Sequence, residues 1–159
     1  MILYHGSDQE ITKPKIIKGT QGKDFGFAFY LKPLKEQAEK QARRKALFNK
    51  TQKRIVTVFE WDENVENFSF KRFTTYSLDW LELVINCRKN IEYKHEFDIV
   101  EGNIADDAVG ETINFVCEGV MRKEDALEKL KFQNNNIQIA FCTEKSLKSL
   151  KFLKSYEVK

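Results

Sequence analysis

Cysteine, histidine and long apolar runs are scarce in this chain of 159 residues. The three cysteines, Cys87, Cys117 and Cys142, form no C-x-x-C pair and each lies in an apolar neighbourhood, which predicts reduced core thiols in a cytoplasmic protein. Neither of the two histidines adjoins a cysteine, so we expect no zinc or other metal site. The sequence has no signal peptide and no bilayer-spanning run, so we expect no membrane partner.

Glycine-rich phosphate loops are also missing. Neither a G-x-G-x-x-G nor a Walker-type motif occurs, and strands and helices do not alternate regularly, which argues against Rossmann and P-loop folds. The sequence contains no internal repeat and no low-complexity linker. An apolar fraction of 42% and a charged fraction of 32% are typical of a globular protein. The length predicts a single domain over residues 1–159.

The pattern of apolar residues predicts an α+β fold on a mostly antiparallel core. We expect a first helix that begins at Lys32-Pro33, a second after an N-cap at Ser77, and two more around Val109 and Ala126. A last helix is expected after Thr143, and it would bear Leu147, Leu150 and Leu153. Strands are expected at residues 2–5, 25–31, 54–61, 66–73, 96–100 and 137–142.

The first predicted helix is strongly basic. Residues 32–54 contain nine lysines or arginines and two glutamates. Such a surface supplies salt-dependent, sequence-independent affinity for nucleic acid, with Lys40, Arg43 and Arg44 as the expected contacts. The alternative is a solvated helix face without a partner. The overall net charge of +3 permits an acidic partner without requiring one.

Three short motifs occur in a distinctive order. The first strand ends in Tyr4-His5-Gly6-Ser7, the second motif is Asp24-Phe25-Gly26 with the aromatic strand that contains Tyr30, and a late strand covers residues 137–141. Together with Asp98-Ile99-Val100 and its acidic turn, this order resembles the His-Tyr-Glu branch of the ADP-ribosyltransferase superfamily. That branch includes diphtheria-type toxins and poly(ADP-ribose) polymerases, and the chain resembles a set of small bacterial domains of the same superfamily more closely than it resembles these.

The resemblance implies a split, mostly antiparallel β-sheet core flanked by helices, and NAD as co-substrate. It implies that His5 binds the adenosine-side ribose, that the Gly6 backbone binds the nicotinamide carboxamide, and that Tyr30 stacks on the nicotinamide ring. Ser7 would contact NAD nearby. The alternative for Tyr30 is an ordinary core aromatic. His95, in a charged run, is expected to be exposed and without a role.

The glutamate of the superfamily has no counterpart here. Gln138 is the best match, with Ile137 as the alternative register. Glutamine can bind a ribose hydroxyl but cannot act as a base, which fits transfer of single units better than polymer synthesis. Asp107, or its neighbour Asp106, is the second candidate for the missing carboxylate. The competing interpretations are a polar residue on the wet face of an edge strand for Gln138 and a helix N-cap for the two aspartates.

These features predict a mono-ADP-ribosyltransferase that modifies a macromolecule, with RNA or DNA slightly favoured over protein. By resemblance it would be the toxin of a bacterial toxin–antitoxin or defence system, held by an antitoxin protein. Two alternatives stay open. One is an NAD glycohydrolase, and the other is a module with a decayed site that binds nucleic acid or protein.

Overall fold

The computed structural model describes residues 1–159 as two β-sheets and five helices. The strands are β1 (Ile2–Ser7), β2 (Phe29–Leu31), β3 (Ile55–Trp61), β4 (Phe70–Arg72), β5 (Ile99–Asn103), β6 (Ile137–Phe141) and β7 (Leu150–Glu157). The helices are α1 (Lys35–Asn49), α2 (Leu78–Lys89), α3 (Asp107–Cys117), α4 (Lys123–Leu130) and α5 (Glu144–Leu147). One sheet has the strand order β1-β3-β7 and the other the order β2-β6-β5-β4.

All strand pairs are antiparallel except β4 with β5, which is parallel. The α+β class and the mostly antiparallel core are therefore confirmed. The first predicted helix begins at Lys35 instead of Lys32. No helix combines the length and the apolar composition that a bilayer crossing needs.

The two sheets share an apolar interior. One cluster contains Leu3 from β1, Phe29 from β2, Phe59 from β3 and Phe141 from β6, all of them fully buried. Alternate side chains along each strand point to opposite faces, so the four-stranded sheet presents a second set of residues on its other side. There, α2, α3 and α4 pack on Val100 and the residues around it.

Helix α1 lies against the outer face of the three-stranded sheet. Its buried stripe of Ala38, Ala42 and Ala46 confirms the predicted apolar periodicity. The helix can approach closely because Gly6 of β1 has no side chain: a Cβ atom there would lie 2.0 Å from the carbonyl oxygen of Ala38. The bridge between Tyr4 and Lys32 then joins β1 to the chain just after β2.

The predicted last helix is wrong over most of its length. Thr143 caps a helix as expected, but α5 ends at Leu147 and residues 150–157 form β7, which pairs with β3. Leu150 and Phe152 pack against the intersheet cluster while Lys151 and Leu153 are exposed, so the segment follows the two-residue period of a strand. The spacing of Leu147, Leu150 and Leu153 fits a helix when the segment is considered alone, but pairing with β3 makes it a strand.

Three strand boundaries also differ from prediction. Strand β2 covers only Phe29–Leu31, because residues 23–26 form a turn in which Gly26 has a φ of +82°. Strand β4 is limited to Phe70–Arg72. Strand β5 continues to Asn103, through part of the predicted acidic loop.

Candidate functional site

A cleft of about 830 Å³ opens between α1, the loop before Phe25, the end of α2 and the loop after β5. His5, Tyr30 and Gln138, which belong to three different strands, all line it. Gly6 and Ser7 do not. Gly6 lies under α1, and the Ser7 hydroxyl donates to a carboxylate oxygen of Asp8 at 3.3 Å.

His5 is held in one orientation and one protonation state. Its Nδ1 atom donates to the carbonyl oxygen of Tyr30 at 2.8 Å, and its ring stacks on Phe29 with a centroid distance of 4.3 Å. Burial, reinforced by the charges of Lys45 and Lys32, lowers the pKa of His5 from 6.5 to about 4. A neutral ring with a proton on Nδ1 leaves Nε2 as a hydrogen-bond acceptor.

Tyr30 contributes to the wall of the cleft and also shapes it. Its hydroxyl donates to the carbonyl oxygen of Gly26 at 2.5 Å and accepts from the backbone N–H of Phe25 at 3.1 Å. Burial and the nearby charge of Asp24 raise the pKa of Tyr30 well above 10, so the hydroxyl stays protonated. Tyr30 thereby stabilises the turn that precedes β2.

Gln138 is only 3% exposed and lies on β6, between β2 and β5. The interpretation of Gln138 as a solvent-exposed residue on an edge strand is therefore wrong. Its Nε2 atom donates to Oδ2 of Asp24 at 3.0 Å, and its Oε1 atom accepts from Nζ of Lys32 at 3.5 Å. Ile137, the alternative register, does not line the cleft.

Asp24 is the carboxylate that the sequence did not single out as a site residue. It is 8% exposed, and its Oδ1 atom accepts from Arg88 Nη2 at 2.7 Å and from Nε at 2.9 Å. Its Oδ2 atom accepts from the backbone N–H of Ala105 at 2.9 Å as well as from Gln138. The only sequence signal was its place at the head of the Asp24-Phe25-Gly26 turn, because its partners are distant along the chain.

Lys32 is a second buried charge in the cleft. It is 7% exposed, and burial lowers its pKa from 10.5 to about 8, although the carboxylates of Asp24 and Asp106 oppose the shift. We refer to Asp24, Lys32, Arg88 and Gln138 together as the cleft floor.

The charged groups at the mouth of the cleft are much more exposed. Arg44 contacts Asp107 at 2.9 Å and Asp106 at 3.5 Å, and Lys40 contacts Asp107 at 3.4 Å. We refer to Lys40, Arg44, Asp106 and Asp107 as the rim. The hydrogen bond from Arg44 and the neighbouring Lys40 lower the pKa of Asp107.

The two rim aspartates differ in position. Asp106 lines the cleft, whereas Asp107 does not and its side chain is 61% exposed. Asp106 occupies the N-cap position of α3, but its side chain makes no capping hydrogen bond. Arg43 is exposed on α1 outside the cleft, whereas Lys40 and Arg44 belong to the lining.

His95 has a structural role that the sequence did not indicate. Its Nδ1 atom accepts from the backbone N–H of Phe97 at 3.1 Å, so Nε2 carries the proton and donates to the carbonyl oxygen of Phe25 at 2.6 Å. The expectation of an exposed residue without a role is therefore wrong. His95 supports the same turn that Tyr30 contacts from inside the cleft.

The cleft is strongly cationic. Two carboxylates line it, those of Asp24 and Asp106. The seven cationic side chains of the lining are Lys23, Lys32, Lys40, Arg44, Lys45, Arg88 and Lys89. This excess favours an anionic ligand. No group of three or more His, Cys, Asp or Glu side chains is arranged to hold a metal ion.

The chain belongs to the DUF3990 family, described as a protein of unknown function, and the match covers residues 1–152. No curated protein and no solved structure matches the chain.

Proposed function

We propose that the protein is a mono-ADP-ribosyltransferase that uses NAD as co-substrate. The observation that carries the proposal is that His5, Tyr30 and Gln138, the residues matched to the His-Tyr-Glu positions, line one cleft although they come from three different strands. The volume of about 830 Å³ lies within the range of roughly 300–1,000 Å³ that is typical of small-molecule sites.

The protonation state of His5 supports binding of a ribose. The unprotonated Nε2 atom suits a hydroxyl donor, whereas a cationic imidazolium would offer only N–H groups. Oε1 of Gln41, buried in the same lining without a hydrogen-bond partner, is a second acceptor for a ligand N–H or O–H. The cationic lining suits the negative charge of a diphosphate.

Loss of nicotinamide from NAD passes through an oxocarbenium-like state, as glycoside cleavage does. In the proposed mechanism the ring of Tyr30 positions the nicotinamide and Gln138 binds a hydroxyl of the adjoining ribose. A neutral glutamine cannot remove a proton from a growing chain of ADP-ribose, which favours transfer of a single unit.

Nucleic acid is the acceptor that the proposal favours. Lys40, Arg44 and Lys45 of α1 line the cleft, and Arg43 extends the same charged helix beyond it. A phosphate backbone bound along α1 would therefore lie next to the proposed NAD site. The roles of toxin and of antitoxin partner in the bacterial cytoplasm rest on the resemblance alone.

The test uses NAD labelled on its adenylate. The label is followed into RNA, single-stranded DNA and a host protein extract, and nicotinamide release is measured in parallel. We expect the label in one nucleic-acid fraction, and we expect its loss with His5→Ala and with Tyr30→Ala. Tyr93→Ala, on an exposed tyrosine outside the cleft, is the matched control.

Each alternative function has its own result. Nicotinamide release without labelled macromolecule identifies a glycohydrolase. Salt-dependent RNA binding that survives His5→Ala, without NAD turnover, identifies a binding module.

A charge reversal on α1 tests the acceptor surface. Arg43→Glu combined with Lys40→Glu should reduce transfer to nucleic acid, while Lys148→Glu, at the exposed end of α5, should not. Equal label with and without this charge reversal would exclude α1 as the acceptor surface.

A further inference from the structure

We infer that Asp24 is a positioning residue for Gln138: with Lys32 it fixes both ends of the Gln138 amide, so that a neutral side chain presents a defined donor and acceptor to the cleft. The inference rests on the proposed function, because it assigns to this pair the place that a glutamate occupies in the superfamily. Asp24 and Lys32, which fix the amide, have no role in the resemblance.

The two charges leave the amide only one favourable orientation. Nε2 of Gln138 lies 3.0 Å from Oδ2 of Asp24, and Oε1 lies 3.5 Å from Nζ of Lys32. The reversed amide would place its oxygen against a carboxylate and its N–H₂ group against an amine. Both contacts are buried, so water cannot compensate for such a reversal.

Asp24 is itself held firmly. Arg88 binds one of its oxygens, and the backbone N–H of Ala105 binds the other. Arg88 also donates to the carbonyl oxygen of Ala105, which ties α2 to the loop after β5. With both oxygens occupied by protein donors, Asp24 acts through Gln138 and does not bind a ligand directly.

The arrangement leaves part of the Gln138 amide for a ligand. Of two N–H groups, one is used by Asp24, and of two lone pairs on Oε1, one is used by Lys32. The remaining N–H and lone pair form an adjacent donor and acceptor. Neighbouring ribose hydroxyls can engage both at once, since each hydroxyl donates and accepts.

The same geometry explains why position 138 holds a glutamine and not the glutamate of the superfamily. A glutamate at position 138 would place a second carboxylate about 3 Å from Asp24. Two such groups cannot both be ionised at low cost, so a neutral amide is the residue that this floor accommodates.

A charge exchange tests the inference. Asp24→Asn and Gln138→Glu are each made alone and then combined, so that the new amide at position 24 can donate to the new carboxylate at position 138, beside Lys32. Asp125→Asn on α4 and Gln9→Glu, both exposed and outside the cleft, are the matched controls. The readouts are the urea unfolding midpoint and the kcat and KM of nicotinamide release.

Each single variant should lower the urea midpoint and reduce kcat by about tenfold or more, with a smaller change in the KM for NAD, because a misplaced group loses rate more than binding. The double variant should recover part of both losses, because residues 24 and 138 are paired again while Arg88 still lacks the Asp24 carboxylate. A role in folding alone would restore the midpoint without restoring kcat.

Three results decide between the possibilities. A double variant no more stable than the worse single variant overturns the pairing. A recovered midpoint without recovered kcat overturns the positioning role. If the wild-type protein binds NAD without turning it over, the proposed function fails, while a recovered midpoint in the double variant still supports the pairing of Asp24 with residue 138.

Discussion

The floor and the rim of the cleft contain ion pairs of nearly identical length in very different surroundings. Arg88 contacts Asp24 at 2.7 Å with side chains 23% and 9% exposed, and Arg44 contacts Asp107 at 2.9 Å with side chains 50% and 61% exposed. Water screens the second pair and hardly reaches the first. Burial, and not distance, therefore decides how much each pair contributes to stability.

Under the proposed function, this difference gives the two regions separate tasks. In the floor, Asp24 and Arg88 cannot easily exchange partners, because removal of either one leaves the other as an unpaired buried charge. The rim pairs break at small cost, so Lys40 and Arg44 can exchange their carboxylate partners for the phosphates of a ligand. A rigid floor and an exchangeable rim suit a site that positions one substrate and admits a second.

The largest effect is expected at the floor. Asp24→Ala leaves Arg88 without its carboxylate and also removes the acceptor for Gln138 and Ala105, and we expect a loss of roughly 3–5 kcal/mol in the free energy of unfolding. Urea unfolding at pH 7 measures it. Asp125→Ala, which breaks a fully exposed pair with Arg122, should lose far less, because water screens that pair. Similar losses in the two variants would remove the distinction between buried and exposed pairs.

Gly6→Ala tests how α1, which carries the cationic side of the rim, is held in place. The new Cβ atom would meet backbone atoms of Ala38 at 2.0 Å and Ala42 at 2.7 Å, so the helix must move and we expect a loss of about 3 kcal/mol. The control is Gly19→Ala, because no atom lies within 4 Å of a Cβ there. Comparable urea midpoints for the two variants would mean that α1 adjusts freely.

His5 extends the comparison to a buried group that titrates. Its pKa is about 4 in the folded protein and 6.5 in the unfolded chain, so between these values the unfolded chain binds the proton more readily. The contribution of His5 to stability is therefore complete above pH 6.5 and is lost as the pH falls toward 4, with a magnitude on the order of 2–3 kcal/mol.

The variant His5→Asn isolates this contribution, because an asparagine N–H₂ group can still donate to the carbonyl oxygen of Tyr30. The difference in unfolding free energy between wild type and variant should change between pH 6.5 and 4 and stay constant from pH 7 to 8. Carboxylates that titrate in both proteins cancel in this difference. Parallel curves over the whole range would contradict the buried, neutral state of His5.

The smallest effect is expected at the rim. Asp107→Asn removes a charge but keeps a residue type that tolerates the local φ of +48°, so it reports on the ion pairs alone. We expect a loss of about 0.5 kcal/mol at low ionic strength that disappears in 1 M salt. A loss that persists in high salt would show that Asp107 contributes by something other than its exposed charge.

Local patterns in the sequence predicted much of the fold. The β-branched run of β3, the alanine stripe of α1 and the caps at Ser77 and Thr143 depend on residues within a few positions of one another, and all were confirmed. The segment after Thr143 was predicted wrongly because its partner, β3, lies about a hundred residues earlier in the chain.

For the site, the sequence by itself determined the candidates for the proposed NAD site: a histidine on the first strand, a tyrosine on the second, a glutamine on a late strand and a basic helix. Only the tertiary structure selected Asp24 over Asp107 as the carboxylate beside Gln138. Asp24 is 114 positions from Gln138 and 64 from Arg88, and no local pattern reports which distant charges the fold will bury together. The strength of a charge depends on its burial and on its partners, and the packing of the two sheets and α1–α3 sets both.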